Sequence, residues 1–86
     1  MFPVDLSNIL PLKKGAEERR PLSLGTFSLE VVISRDQSGI YHLWVYDKNR
    51  SGNDHKGYRR DNIADEAMTE FIWKAFLQKT KTFFNV

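Results

Sequence analysis

Ile40-Tyr41-His42-Leu43-Trp44-Val45-Tyr46 decides the fold, because each of these side chains is β-branched, aromatic or otherwise bulky and suits a pleated surface. It reads as the central strand of a sheet. Alternation puts Tyr41, Leu43 and Val45 on one face and His42, Trp44 and Tyr46 on the other. The first set is core; the second needs an explanation.

Working outward, the stretch before it repeats the pattern. Phe27, Leu29, Val31 and Ile33 alternate with Ser28, Glu30, Val32 and Ser34, a half-buried strand. Asp36-Gln37-Ser38-Gly39 supplies turn chemistry between the two, with Gly39 able to take a positive φ, so an antiparallel hairpin is expected. In that register His42, Trp44 and Tyr46 share a face with Ser28, Glu30 and Ser34. Further on, 47–57 is polar and rich in turn formers, an exposed loop, and 56–62 returns as a short third strand carrying Tyr58, Arg59 and Arg60.

A helix is expected over 63–80, capped by Asp61 or Asn62, with Asn62 and Asp65 approximating a capping box. Its core stripe would be Ala64, Ala67, Met68, Phe71, Ile72, Ala75 and Phe76. Trp73 and Leu77 fall on the far side, and Phe84 joins them if the helix continues. They form a second apolar patch that predicts a protein interface and a homodimer.

At the other end, 1–12 carries Phe2, Val4, Leu6, Ile9, Leu10 and Leu12, too apolar to leave in water, and is expected to pack on the domain or on a partner. Residues 13–24 mix Lys13, Lys14, Glu17, Glu18, Arg19 and Arg20 with Gly15 and Pro21 and read as a solvated loop. The organisation predicted is an N-terminal segment and charged loop over 1–24, then a single ββ(β)α domain over 25–86. The fold class is α+β, a small antiparallel hairpin or three-stranded sheet against one C-terminal helix.

Bulk properties narrow the function. A chain of 86 residues makes one domain with a marginal core. Without cysteine there are no disulfides, thiolate nucleophiles or Cys-based zinc sites, and a reducing, cytoplasmic setting fits best. No signal-peptide pattern or bilayer-length apolar run occurs, so no membrane partner is expected. The net charge of +2 is too small to argue capture of nucleic acid without favourable placement, and it excludes an acidic DNA mimic. His42 and His55 have no third ligand at a recognised spacing, and no nucleophile elbow, phosphate loop or HExxH pattern is present. The expectation is a binding protein, with no cofactor, no metal and no catalytic residues.

Two readings of the partner stay open. In the leading one His42, Trp44 and Tyr46 stack the bases of single-stranded DNA or RNA while Lys48, Arg50, Lys56, Arg59 and Arg60 contact phosphates. In the alternative the chain is a modulator or inhibitor of a protein target, of the kind mobile elements encode, with Trp73, Leu77 and Phe84 or the N-terminal segment as anchors. The order of elements from about Phe27 to Lys79 resembles two DNA-binding families: the positive-cofactor family of single-stranded-DNA-binding coactivators, whose helices dimerise, and the arm-binding domains of tyrosine integrases, which lay a three-stranded sheet in the major groove. Both resemblances are of topology.

Overall fold

In the computed structural model, which describes residues 9–48 and 57–86, one antiparallel sheet is backed on one side by one helix. Strands β1 (Glu17–Leu24), β2 (Phe27–Arg35), β3 (Tyr41–Asp47) and β4 (Gly57–Ile63) lie in the order β1-β2-β3-β4, and helix α1 (Glu70–Phe84) follows. No helix among the described residues is long and apolar enough to cross a membrane.

The two inner strands pair as their sequence predicts: Val31 faces Val45, Ile33 faces Leu43 and Val32 faces Trp44. The turn closes with the Asp36 carboxylate accepting the backbone N–H groups of Ser38 (2.9 Å) and Ile40 (3.0 Å), and Gly39 sits at φ 89. Leu29, Val31, Ile33, Tyr41, Leu43 and Val45 are all buried. That is the core face.

The sheet has one strand more than expected. Residues 17–24, read as a solvated loop, are β1, joined to β2 by the two-residue turn Gly25-Thr26 between the paired Leu24 and Phe27. An edge strand tolerates this composition, since charged side chains and a proline are what such an edge commonly carries. Leu22, opposite Leu29, is the residue that ties β1 into the core.

The helix differs in both start and rotation. Asp65–Ala67 form a single 3-10 turn, and α1 begins after Thr69, whose hydroxyl accepts from the Ile72 N–H at 3.4 Å. Asn62, expected as a cap, instead adopts φ 62 at a register irregularity in which Tyr41 pairs with Ile63 but Leu43 with Arg60. Three β4 steps thus oppose two on β3, a bulge that returns Ile63 to the core face. The stripe that α1 buries is Trp73, Phe76, Leu77, Thr80 and Phe84, spaced i, i+3, i+4, i+7 and i+11. Phe71, placed in the core by the sequence reading, is 78% exposed.

Trp73, Leu77 and Phe84 are therefore core residues, exposed by only 1%, 2% and 2%, and cannot serve as interface anchors. With them goes the ground on which a homodimer was expected. On α1 the two stripes share Phe76, and Trp73, Leu77 and Phe84 outweigh Phe71, Ile72 and Ala75, since a large apolar side chain fully buried contributes about 1.5–3 kcal/mol and alanine far less. Ile9 and Leu12 close the same core, and the Leu12 N–H donates to the Tyr41 hydroxyl at 3.1 Å. Arg35 fastens this corner, donating to the carbonyls of Gly39 (3.1 Å) and Leu12 (2.8 Å) and lying 3.5 Å from Asp65.

Candidate binding face

The core side of the sheet receives Ile9, Leu12, Met68 and α1. On the other side Val32 is buried and His42, Trp44 and Tyr46 are half-buried. The register lays out this outer face in rows. Arg19, Val32, Trp44 and Arg59 run across the four strands; Pro21, Glu30, Tyr46 and Gly57 form the next row. Beside them lie Glu17, Ser34 and His42, with Asp61 reaching His42 from β4.

At the centre, Trp44 and Tyr46 stack with ring centroids 4.6 Å apart and planes 27° from parallel. Neighbouring same-face positions on one strand make this possible, and Gly57 makes room for it. A Cβ there would come within 2.9 Å of the Trp44 indole nitrogen and 2.7 Å of the Val45 carbonyl oxygen. The Arg59 guanidinium lies over the indole, 5.4 Å from its centroid.

Around this pair the charges are matched. Arg19 donates to Glu17 at 2.7 Å and to Glu30 at 3.2 Å, and also to the Tyr46 hydroxyl, which in turn donates to Glu30. That phenol, followed by Arg19, holds the Glu30 carboxyl below the usual range, and the same bond to Glu30 raises the Tyr46 phenol. Arg59 donates to Asp61 through Nε (3.3 Å) and Nη2 (3.1 Å), which, ahead of His42, lowers the Asp61 carboxyl. His42 sits between Asp61 and Asp36, at 2.9 and 3.0 Å, and is raised, chiefly by Asp36 and then Asp61, against the effect of its partial burial.

Of the residues singled out for nucleic acid, His42, Trp44, Tyr46 and Arg59 come together on this face. Lys48 follows β3 and is close enough to Glu30 to lower its carboxyl further. Arg60 does not join them: it pairs with Leu43 and so lies on the helix side of β4, because adjacent strand residues point to opposite faces. Arg50, Lys56 and His55 lie outside the described residues. Sequence reasoning missed Arg19, Glu17, Asp36 and Asp61 as members of the face; for Arg19 and Glu17 the signal would have been recognition of β1.

A shallow concavity, about 310 Å³, lies between β4 and α1, lined by Tyr58, Lys79, Thr82 and Phe83. Its rings pack on each other, Tyr58 and Phe83 at 5.9 Å between centroids, and it gathers a single cation. No group of three or more metal-ligating side chains is found among the described residues. No family model, curated protein or solved structure matches the chain.

Proposed function

We propose that the chain is a small non-enzymatic binding protein that docks on a protein partner through its outer sheet face, with Trp44 and Tyr46 as central anchors. The observation that carries this reading is a stacked, half-buried Trp–Tyr pair at the centre of the sheet's outer face, whose described arginines are already joined to carboxylates. Aromatic anchors within a polar, hydrogen-bonded rim are the anatomy of protein interfaces. Such a face would act by occupying its partner's surface, as an inhibitor or adaptor does.

The pairing of the face's arginines with carboxylates favours the protein partner. Among the described residues the face sets Arg19, Lys48, Arg59 and His42 against Glu17, Glu30, Asp36 and Asp61, so a phosphate backbone would meet as many carboxylates as cations. Binding it would require Arg19 and Arg59 to exchange their carboxylate partners. The ring pair itself still favours single-stranded nucleic acid as a second reading, with bases stacked on Trp44 and Tyr46 beside Lys48.

Capture from cell extract with wild-type, Trp44→Ala and Phe71→Ala chains, run beside a salt series with single-stranded oligonucleotides, separates the readings. The expected result is a protein partner held by wild type and Phe71→Ala but lost by Trp44→Ala, with no salt-sensitive oligonucleotide binding. Salt-sensitive binding weakened by about 1–3 kcal/mol in Trp44→Ala would establish the second reading instead. Undiminished capture of the same partner by a folded Trp44→Ala chain would refute the assignment of this face.

A further inference from the structure

We propose that His42 is a proton-gated clamp on the outer face, tying the β2–β3 turn to the bulged end of β4 as an imidazolium and letting one of them go when it becomes neutral. Both ring nitrogens face carboxylate oxygens at hydrogen-bonding distance, Nδ1 to Asp61 Oδ1 at 2.9 Å and Nε2 to Asp36 Oδ2 at 3.0 Å. Ionised carboxylates only accept, and a neutral imidazole has one N–H to give. One of the two contacts must then set a ring lone pair against a carboxylate. Only the protonated ring satisfies both.

The groups around His42 favour that form. From the β2–β3 turn comes Asp36 and from β4 come Asp61 and its partner Arg59, while the residue opposite on β2 is the uncharged Ser34. Beyond it on β1 stand Glu17 and Arg19, paired to each other at 2.7 Å. The ring is 24% exposed, open enough to exchange protons with solvent.

Both partners keep a hold of their own when His42 lets go. Asp36 is kept by the Ser38 and Ile40 N–H groups, and Asp61 by Arg59. Arg59 is also the residue over the Trp44 ring, and the neighbouring Asn62 holds the left-handed backbone of the bulge. A change in what Asp61 bonds thus reaches the aromatic anchor through Arg59. The regulatory consequence, a binding face that loosens as pH rises, rests on the outer face being the binding surface; the clamp itself does not.

The pH window follows from the directions of the shifts. His42 is raised above 6.5, so its contribution is complete below that value and is lost as pH rises through the folded pKa. Asp36 and Asp61 are lowered from 3.8, so theirs is lost only as pH falls through their depressed values. The clamp is whole between these limits.

The test is an NMR pH titration of the full chain without any partner, following the His42 ring, the Trp44 indole N–H and the Ile63 amide. The expected His42 midpoint lies above 6.5, with the Trp44 signal moving at the same midpoint and that of the buried Trp73 still. Asp36→Asn and Asp61→Asn should each lower the midpoint, and His42→Gln should abolish the titration at Trp44. A wild-type midpoint at or below 6.5, or one that neither Asp variant moves, would overturn the clamp. A shifted midpoint that Trp44 does not follow would overturn the gating of the face. Neither failure touches the docking assignment, which the Trp44→Ala capture tests separately.

Discussion

Replacing Phe76 and Phe71 one at a time with alanine measures the rotation of α1, because the sequence pattern puts both on the core stripe while the structure buries only Phe76. Phe76 is fully buried, with its ring 5.4 Å from that of Tyr58 and 5.9 Å from that of Trp73. Truncation leaves a cavity that the sheet cannot collapse to fill, and Phe→Ala at such a site costs about 3–5 kcal/mol. A domain of this length has only about 4–13 kcal/mol of stability, so Phe76→Ala removes a large share of it. Phe71, at 78% exposure, leaves no cavity, and Phe71→Ala should stay within about 0.5 kcal/mol of wild type. Urea denaturation followed by far-UV circular dichroism gives both numbers, with unchanged m-values required for the comparison. A Phe71→Ala cost equal to or above that of Phe76→Ala would show that the helix presents the other stripe to the sheet, and would refute the packing described.

Two further substitutions probe what shapes the outer face and its supporting corner. Gly57→Ala puts a Cβ against the Val45 carbonyl and the Trp44 indole and should cost about 1–3 kcal/mol as an overpacked contact, read by denaturation, with a shifted Trp44 indole resonance. Arg35→Lys keeps the charge but cannot donate to Gly39 and Leu12 at once, so it should lose about 1–3 kcal/mol; a neutral result would remove Arg35 as the fastener of residues 9–12.

The inner hairpin was legible because its two strands alternate cleanly and its turn carries Asp36 and Gly39. Both faces of β3 followed from that alternation alone, including the outer trio His42, Trp44 and Tyr46. At β1 the same logic failed: one side of an edge strand is wet and its rim polar, so Glu17 to Arg20 show no apolar period, and only Leu22 and Leu24 betray the strand. At α1 two apolar stripes compete on one helix, and periodicity does not rank them. Side-chain volume does, since beyond the shared Phe76 the stripe of Trp73, Leu77 and Phe84 buries more than Phe71, Ile72 and Ala75 could. The helix start was misplaced because Asn62, a good cap by residue type, is equally suited to the left-handed position in a bulge. The charge balance of the face was hidden for a related reason: Arg59 and Arg60 are adjacent in sequence but point to opposite sides of the sheet, and Arg19 reaches Glu30 only once β1 is paired.

The central claim is that the half-buried Trp44 on the outer face is accessible to a partner while Trp73 is sealed in the core, and acrylamide quenching of two single-tryptophan chains tests it most directly. The Trp73→Phe chain, which keeps Trp44, should be quenched readily in the absence of any partner. The Trp44→Phe chain, which keeps the 1%-exposed Trp73, should resist quenching until it is unfolded. Trp44 emission as protected from acrylamide as that of Trp73 would mean that the outer face is covered within the full chain, and would contradict the account.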